Sequence, residues 1–440
     1  MNAQKTGPDV SGSADTAAQA KRFLLLFSDT GGGHRASAQA VGDELLCLHG
    51  QAAAVELLDV FIELGQWPWH RFPTWYPSCL AFNGIPWGIG FHLSNHVKLM
   101  QTASTILWPY VGAALRNLLD RHPAEVIVSF HPIPNCALLM GLRAMNRSTP
   151  IAIVALDMVT LHAGWLVPGA ALYTVPTLAA KANALRAGVP EDRVSLTGIP
   201  IRQRFLTAMQ LPTARARAQL RLSYDKPIVL VVGGGDGIGP LEQIVRAIAH
   251  MHPAALVVVI TGHNHGLKQV LTRMDLPIPV RIEGFVSNME VWMRAADVLV
   301  TKAGPNTLAE AFAMGLPLVI YTALPGQEQE NVNHVVENGA GLWAPLPQQT
   351  AEAVVQLLSN GEMRETMATR ARALARPQAT RQIAQNLWRL TSEQLVPRAD
   401  IPLRKRPLEK RGLKTSRSGE RRPALVHNEP VGLAIRDERL

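Results

Sequence analysis

The fold is decided by one stretch of the chain, residues 297–317, which reads DVLVTKAGPNTLAEAFAMGLP. Its apolar start is typical of a short, buried parallel strand, and the Gly304-Pro305 pair turns the chain. Thr307, with Glu310 three residues later, matches a capping box at the start of a helix. Because a helix start carries unpaired N–H groups and a partial positive charge, the pattern predicts an anion site there.

A second polar helix start follows at residues 325–331, PGQEQEN. This start is dense in polar side chains, which include Gln327, Glu328 and Asn331. A helix that is merely solvated needs no such density of polar groups. Two polar helix starts after two parallel strands predict a nucleotide-binding site. Glu310 alone does not decide this, since a capping-box acid also occurs at ordinary helix starts.

Length and composition limit the class of protein. A chain of 440 residues, 47% of them hydrophobic, predicts two or three globular domains with sizeable cores. The net charge of +9 and the pI of about 9.7 favour an anionic partner, which is a nucleic acid, a nucleotide or an anionic membrane. Cys47, Cys79 and Cys136 have no metal-ligand spacing and form no disulfide framework, which fits a reducing cytoplasm.

The two ends of the chain differ from its middle. Residues 1–20 are polar and lack the apolar core of a signal peptide, so they are predicted to be a disordered leader. No apolar run approaches the ~20 residues that a membrane-spanning helix requires. Residues 397–440 carry much of the positive charge and are predicted to be a disordered basic tail. Such a tail either binds an anionic membrane surface, at about 1 kcal/mol per charge, or is simply solvated.

A glycine-rich loop, residues 28–38 (SDTGGGHRASA), joins the apolar strand 23–27 to a helix. The loop formally matches a dinucleotide-binding fingerprint, with Asp59 at the end of the next strand as the ribose acid. His34 and Arg35 argue against a hydride-transfer enzyme, because they place bulk where a pyrophosphate would approach the backbone. At a helix start, His34 should remain neutral near pH 7 and can accept a proton from a hydroxyl group; the alternative is a hydrogen-bonding histidine without chemistry.

A second glycine-rich loop, residues 233–239 (GGGDGIG), follows the apolar strand 228–232. This second loop is smaller than the first glycine-rich loop and therefore fits a phosphate group better. Two strand–loop–helix units predict an α/β fold with two doubly wound domains. Polar residues past other strand ends, such as His131, lie where ligands bind in such sheets, and Asp157 and His162 either form walls of the site or stabilise their loops.

Residues 61–95 are rich in aromatic residues and are interrupted by prolines, which rules out one long helix. The tryptophans of this segment are Trp67, Trp69, Trp75 and Trp87. Aromatic and basic side chains together favour a membrane interface or the mouth of a lipid pocket. An aromatic subcore beneath a long loop is the alternative. Stacking on single-stranded nucleic acid is disfavoured, because no basic groove pattern accompanies the aromatic residues.

Several blocks of the chain resemble the monogalactosyldiacylglycerol synthases and the related processive diacylglycerol glucosyltransferases. They are residues 28–38, the spacing Asp157-x-x-Thr160-x-His162-x-x-Trp165, and residues 284–289, 301–311 and 325–331. The peptidoglycan N-acetylglucosaminyltransferase shares the donor-domain plan. The resemblance runs from about Phe23 to Ala375, with Leu156 where the family often has Thr and Asn306 where Gly is common. It implies an α/β protein of the GT-B type, in which two doubly wound, Rossmann-like domains face each other across a cleft.

This plan divides the chain into six expected parts. They are a disordered leader (1–20), an N-terminal acceptor- and lipid-binding domain (21–202), a linker with a short helix (203–226), a C-terminal UDP-sugar-binding domain (227–375), a closing helix (376–396) and a basic disordered tail (397–440).

The resemblance implies that both domains contribute to one site. His34 would face the acceptor hydroxyl in the cleft, and Glu310 would bind the donor ribose. Gln327 and Glu328 would contact the donor sugar. The residues on the acceptor and membrane side would be Trp67, Trp69, Trp75, Trp87, His131, Asp157 and His162.

The remaining donor contacts would surround the UDP moiety. Gly235, Asp236 and Thr307 would lie at the pyrophosphate, and Phe285 with Val286 beside the uracil. The donor set would be completed by Arg202 near the phosphates and by Gly234, Gly304, Pro305 and Asn331.

The implied activity is that of a peripheral glycosyltransferase at the cytoplasmic face of a membrane. It would move galactose or glucose from a UDP-sugar to diacylglycerol or a glycolipid, with inversion. Neither a metal nor a cofactor besides the UDP-hexose donor is expected, and the expected partners are the donor, the lipid acceptor and an anionic membrane surface, with no nucleic acid. The alternatives are an inactive sugar-nucleotide or lipid-binding protein and a UDP-sugar epimerase. The aromatic segment argues against the epimerase, which needs no lipid.

Overall fold

The structure, a computed structural model, forms two parallel β-sheets covered by helices. It describes residues 20–30, 32–65, 69–71, 74, 84–222, 225–235, 237 and 239–392. The predicted basic tail and residues 1–19 of the predicted leader lie outside this part of the chain. The two sheets confirm the predicted α/β class.

The first sheet consists of parallel strands that lie between residues 21 and 196. Its strands are β1 (Lys21–Phe27), β2 (Ala53–Asp59), β3 (Val126–Ser129), β4 (Ile151–Val154), β5 (Leu172–Val175) and β6 (Val194–Leu196). They are arranged in the order β2-β1-β3-β4-β5-β6. The centre of β1 is buried throughout, because helices cover both faces of a doubly wound sheet.

The second sheet repeats this plan between residues 228 and 343. Its strands are β7 (Ile228–Val232), β8 (Leu256–Ile260), β9 (Val280–Glu283), β10 (Val298–Lys302), β11 (Leu318–Thr322) and β12 (Gly341–Trp343). They are parallel and ordered β12-β11-β10-β7-β8-β9. Counted from β7, this is the Rossmann strand order 6-5-4-1-2-3.

Helices connect the strands and cover the sheets. Those of the first half are α1 (Gly33–His49), α2 (Val60–Leu64), α3 (Ile85–Ser94), α4 (Val97–Arg121), α5 (Asn135–Ala144) and α6 (Leu178–Arg186). Those that follow are α7 (Gln203–Met209), α8 (Thr213–Gln219), α9 (Leu241–His250), α10 (His265–Thr272), α11 (Met289–Ala295), α12 (Pro305–Met314), α13 (Gln329–Glu337), α14 (Pro347–Ser359), α15 (Gly361–Leu374) and α16 (Ala379–Leu390).

Two local expectations are wrong. Helix α12 begins at Pro305 with Gly304 at its N-cap, so Thr307 lies inside the first turn and does not cap the helix. Proline is well suited to the first helical position, because its φ is preset and it lacks the N–H that would remain unpaired. The linker 203–226 contains two helices, α7 and α8, rather than one, and Pro212 lies at the start of the second.

The last helix returns to the first domain. Helix α16 packs against α1, and Trp388 stacks on His49 with ring centroids 3.6 Å apart. The outgoing and returning connections touch where Gly198 has a φ of 107°. A Cβ on Gly198 would lie 2.6 Å from the Cβ of Arg376, so only glycine allows this approach.

Asp297, the first residue of the deciding stretch, joins the linker to the second sheet. Its Oδ2 accepts the N–H of Ile228 at 2.7 Å and lies 2.6 Å from Nη2 of Arg217. Arg217 is 8% exposed and also donates from Nε to the carbonyl oxygen of Ala295 at 3.0 Å. The carboxylate is therefore the counter-ion of a buried guanidinium.

Replacing Asp297 by Ala is expected to lower the free energy of unfolding by about 3 kcal/mol, because it leaves the Arg217 guanidinium without its counter-ion. Urea unfolding followed by circular dichroism measures the loss. The control is Asp275→Ala, an exposed carboxylate that should change stability by less than about 0.5 kcal/mol. Equal losses in the two variants would contradict this account of Asp297.

Candidate active site

The candidate site lies where the strand order of each sheet reverses. The reversal occurs between β1 and β3 in the first sheet and between β7 and β10 in the second. The segments that leave the carboxyl ends of these strands contain His34, His131, the glycine loop 233–237 and Glu310. In open α/β sheets, ligands bind in the crevice at this position.

His34 is the second residue of α1 and follows the first glycine loop directly. Its Nδ1 lies 2.5 Å from the carbonyl oxygen of Phe130, and since a carbonyl only accepts, Nδ1 carries the proton and Nε2 keeps a lone pair. Burial lowers the pKa of His34 to about 4. The ring is therefore neutral at pH 7 and can accept a proton, as the sequence predicted for its charge state.

Two further histidines lie near His34. The ring of His131 is buried, with its centroid 4.8 Å from that of His34, and burial is the main reason why its pKa lies well below the usual value. Nδ1 of His162 accepts the N–H of Gly164 at 3.1 Å, so its Nε2 donates to the hydroxyl of Ser94. Burial lowers the pKa of His162 to about 4. This wall of the site is therefore uncharged at neutral pH.

Asp157 stabilises its own loop and also reaches the cleft. Its Oδ2 accepts the indole N–H of Trp165 at 2.8 Å and the backbone N–H of His162 at 3.0 Å. Burial raises the pKa of Asp157, and these hydrogen bonds oppose that effect. Its Oδ1 accepts from Gln327 of the second domain at 3.1 Å. Asp157 thus stabilises its loop and contacts the second domain, and its role as a wall of the site stays a prediction.

The second glycine loop is pressed against the turn that follows β8. The N–H of His263 donates to the carbonyl oxygen of Gly235 at 2.8 Å, and a Cβ on Gly262 would lie 2.0 Å from that oxygen. Gly234 turns the loop with a φ of 75°. Among the described residues, a Cβ on Gly235 would meet nothing within 4 Å, so none of them covers this side of the loop. An anion can approach the backbone there.

Lys302 and Glu328 form a buried ion pair beside this loop. Nζ of Lys302 lies 2.7 Å from Oε1 of Glu328, whose Oε2 accepts the N–H of Leu324 at 3.0 Å. A Cβ on Gly304 would lie 3.0 Å from the same Nζ, so the ammonium is next to the start of α12. The sequence analysis did not include Lys302 among the site residues. The available signal was a cation at the end of a strand, two residues before Gly304 of the Gly-Pro turn.

The start of α12 is held by buried polar contacts. Pro305 is its first residue, and Thr307 lies partly buried in its first turn. Asn331 is 2% exposed and donates from Nδ2 to the carbonyl oxygen of Ala303 at 3.0 Å, just before the turn. Asn331 therefore supports the helix start through its backbone.

Glu310 lies on α12, one turn further along. Its carboxylate makes no hydrogen bond or ion pair with any residue that the structure describes. Burial raises the pKa of Glu310 to about 7, while Arg202 and Arg204 oppose that rise. Arg202 donates from Nη2 to Gln39 of α1 at 3.2 Å. A carboxylate without a partner among the described residues can accept hydrogen bonds from sugar hydroxyls.

Phe285 presents an exposed aromatic face near the glycine loop. Its side chain is 63% exposed and stacks on His263, with ring centroids 4.4 Å apart and an interplanar angle of 19°. The backbone of His263 is hydrogen-bonded to Gly235, which connects the stack to the loop. Val286 packs against the hydrophobic core and supports the turn. An exposed aromatic ring in this position can stack on a nucleobase.

Two side chains of the second domain bond to the first domain. Nδ2 of Asn306 donates to the hydroxyl of Ser37 on α1 at 2.8 Å. Oε1 of Gln327 accepts the indole N–H of Trp87 at 3.0 Å, and its Nε2 donates to Asp157. The cleft is therefore closed in this structure, and both domains line one slot.

Some predicted residues lie outside the described part of the chain. They are Trp67, Trp75 and Asp236, together with the side chain of Trp69. Across the residues that are described, no group of three or more His, Cys, Asp or Glu side chains could hold a metal ion.

Two Rossmann-like domains that share one cleft define the GT-B class. The fold is similar to that of a UDP co-structure of S. aureus MnaA, with a TM-score of 0.57 and 13% identity over 85% of this chain and 98% of that chain. MurG from Acinetobacter baumannii gives a TM-score of 0.54 with 16% identity, over 84% and 99% of the two chains. These likenesses confirm the predicted GT-B fold.

The sequence comparisons identify the family. The model of monogalactosyldiacylglycerol (MGDG) synthase matches residues 34–201, and the model of the glycosyltransferase family 28 C-terminal domain matches residues 228–387. Monogalactosyldiacylglycerol synthase 3 of Arabidopsis thaliana is 31% identical over 86% of this chain and 83% of its own length. Monogalactosyldiacylglycerol synthase 2 of the same plant is 33% identical over 88% and 84%. The chain belongs to the monogalactosyldiacylglycerol synthase family, which confirms the resemblance.

The neutral histidines predict a pH dependence of stability. His34 and His162 have pKa values of about 4 in the folded chain, against the ordinary 6.5. Between these values the unfolded chain binds more protons. The free energy of unfolding is therefore expected to fall as the pH drops from 6.5 towards 4, by up to about 1.4 kcal/mol per pH unit for each histidine.

Urea unfolding at several pH values in this interval measures the slope, and His34→Gln should make it shallower than in the parent chain. NMR titration of the imidazole gives a direct reading. A His34 resonance that titrates near the ordinary histidine pKa, or an unchanged slope in the variant, would contradict the neutral, buried state.

Proposed function

We propose that this protein transfers galactose from UDP-galactose to diacylglycerol at a membrane surface, with inversion at the anomeric carbon. Family membership supports the reaction class, and the names of the relatives support galactose as the hexose. One observation carries the proposal to this chain's own residues. The neutral imidazole of His34 comes from the first domain, and the Glu310 carboxylate, which has no partner among the described residues, comes from the second domain; both line the same cleft.

The reaction follows from these positions. The lone pair on Nε2 of His34 takes the proton of the acceptor hydroxyl, while the hydroxyl oxygen attacks the anomeric carbon of the donor. The bond between that carbon and the β-phosphate oxygen breaks, and UDP leaves with the electron pair. The negative charge on UDP is met by the N–H groups at the start of α12 and by the nearby Lys302 ammonium. These groups belong to the chain itself, so the proposed step uses no further cofactor.

The donor is held by contacts of three kinds. The open side of the loop at Gly235 receives the pyrophosphate, and Glu310 accepts hydrogen bonds from the ribose hydroxyls. The exposed face of Phe285 stacks on the uracil. The lone pair on Nε2 of His34 has no partner among the described residues, which favours an active enzyme over an inactive binding protein. The UDP-GlcNAc 2-epimerase from Neisseria meningitidis is only 14% identical to this chain, so its likeness concerns the fold alone.

The acceptor arrives from a membrane that the first domain binds. Ile85, Ile89 and Leu93 on α3 are 57%, 58% and 66% exposed and are spaced four residues apart, so they form one stripe. On the following helix α4, Leu99 and Ile106 are 48% and 71% exposed. Isolated exposed apolar residues are ordinary, but two consecutive helices with such faces are suited to lie in a membrane interface.

An anionic membrane suits this surface. Lys98 at the start of α4 is exposed and precedes the exposed Leu99, and the chain as a whole carries a net charge of +9. In the part of the chain that the structure describes, no helix is long and apolar enough to cross a membrane. We therefore propose peripheral attachment through α3 and α4, to which the basic tail would add charge.

His34→Ala is expected to reduce galactose transfer by about 10²- to 10⁴-fold, because the proton acceptor is lost. The assay measures radiolabelled galactose in diacylglycerol from vesicles that contain it. UDP affinity, measured by calorimetry, should remain unchanged, since His34 belongs to the other domain. Full transfer by this variant would remove His34 as the base.

Glu310→Ala is expected to weaken UDP binding by about ten- to a hundredfold, because a charged acceptor for the ribose hydroxyls is lost. Calorimetry with UDP alone measures the effect. Glu330→Ala is the matched control, an exposed acid in the first turn of the neighbouring helix α13. If the two variants bind UDP as tightly as the parent chain, the donor site is elsewhere.

The double substitution Ile89→Glu and Leu93→Glu is expected to reduce sedimentation with diacylglycerol vesicles that contain phosphatidylglycerol, because it puts charge on the apolar stripe. Transfer to diacylglycerol dispersed in detergent should change less than transfer in vesicles. Leu178→Glu is the control, since Leu178 is 68% exposed on α6, away from these helices. Equal vesicle binding by all three proteins would exclude this surface.

A further inference from the structure

The side chain of Gln327 is held between the two domains. Gln327 belongs to the turn before α13, and both its hydrogen-bond partners belong to the first domain. The indole N–H of Trp87 donates to its Oε1 at 3.0 Å. Its Nε2 donates to Oδ1 of Asp157 at 3.1 Å. The amide is thus fixed at both ends by residues of the opposite domain.

The chemistry of the two partners decides which way the amide points. An indole N–H only donates, so the amide oxygen must face Trp87, and the amide nitrogen then faces Oδ1 of Asp157. Asp157 cannot rotate freely, because its other oxygen accepts from Trp165 and from the backbone of His162. Within the described residues, one N–H and one lone pair of the Gln327 amide remain for a ligand.

Glycines allow the backbone of α3 to approach this turn. A Cβ on Gly88 would lie 2.9 Å from Cβ of Pro325, and a Cβ on Gly84 would lie 3.1 Å from Cδ of Pro325. On the other side, a Cβ on Gly326 would lie 3.0 Å from Cδ1 of Phe91. Any larger residue would push the helix away from the turn, so the hydrogen bond of Trp87 depends on this tight contact.

We propose that Trp87 and Asp157 are positioning residues that orient the Gln327 amide towards the donor hexose, so that the hexose is recognised only when the cleft is closed. This inference rests on the proposed function. The glycine loop, Glu310 and Phe285 belong to the second domain alone, whereas the orientation of the Gln327 amide, the proposed hexose contact, is set by the first domain. The binding of UDP and the binding of UDP-galactose should therefore depend differently on the contact of Gln327 with Trp87 and Asp157.

The test compares Trp87→Phe with the parent chain. Phe keeps the aromatic ring but removes the N–H, so the amide loses one of its two fixed ends. The KM for UDP-galactose should rise about five- to tenfold, as the loss of one hydrogen bond predicts, while the Kd of UDP alone stays within about twofold. Trp108→Phe on the neighbouring helix α4 is the control, since Trp108 stacks against Arg116 and leaves Gln327 untouched.

A second variant separates positioning from general damage. Gln327→Ala should raise the KM for UDP-galactose by itself, and adding Trp87→Phe to it should have no further effect, because both changes remove the same contact. Independent effects that add, a parallel loss of UDP affinity in Trp87→Phe, or an unchanged KM in Gln327→Ala would overturn the inference. If the parent chain bound no UDP or transferred no galactose, the proposed function itself would fail, which is a separate outcome.

Discussion

Parallel strand pairing is the constraint on which the candidate site depends. Because each connection crosses back over its sheet, the segments that leave the carboxyl ends of the strands gather at one edge. At that edge helices begin, and the first N–H groups of each helix have no partner within the helix. Two such edges face each other across the cleft of this protein. The backbone groups that folding leaves unpaired are therefore the groups that would meet a ligand in the proposed site.

Burial also determines the protonation states of the titratable side chains in the cleft. On the first domain, burial keeps His34 and His162 neutral, since an imidazolium would be poorly solvated there. On the second domain, Lys302 is paired with Glu328, whereas Glu310 has no such partner among the described residues. Burial raises the pKa of Glu310 to about 7, so its carboxyl group is more readily protonated than that of an exposed glutamate. Hydroxyl donors from a ribose would favour the carboxylate.

Local sequence signals predicted much of the fold and part of the site. The two strand–glycine loop–helix units and the helix 97–121 were predicted because their patterns lie within short windows. The capping role of Thr307 was wrong because Pro305 starts the helix earlier. The hydrogen bond between Trp87 and Gln327 could not be predicted, because the two residues lie 240 positions apart in the sequence and no periodicity connects them. Such contacts follow from the packing of two domains against each other.

The contact between Gly198 and Arg376 limits how this protein can move. The two chain connections between the domains meet there, so together they act as one pivot rather than as two separate tethers. His334, in the last part of α13, lines the same small cavity as Gly198 and Arg376, whereas Gln327 lies before the other end of that helix. A swing about the pivot displaces the near end of α13 least and the far end most. A cleft that opened about this contact would therefore widen most on the side of Gln327 and least beside Gly198.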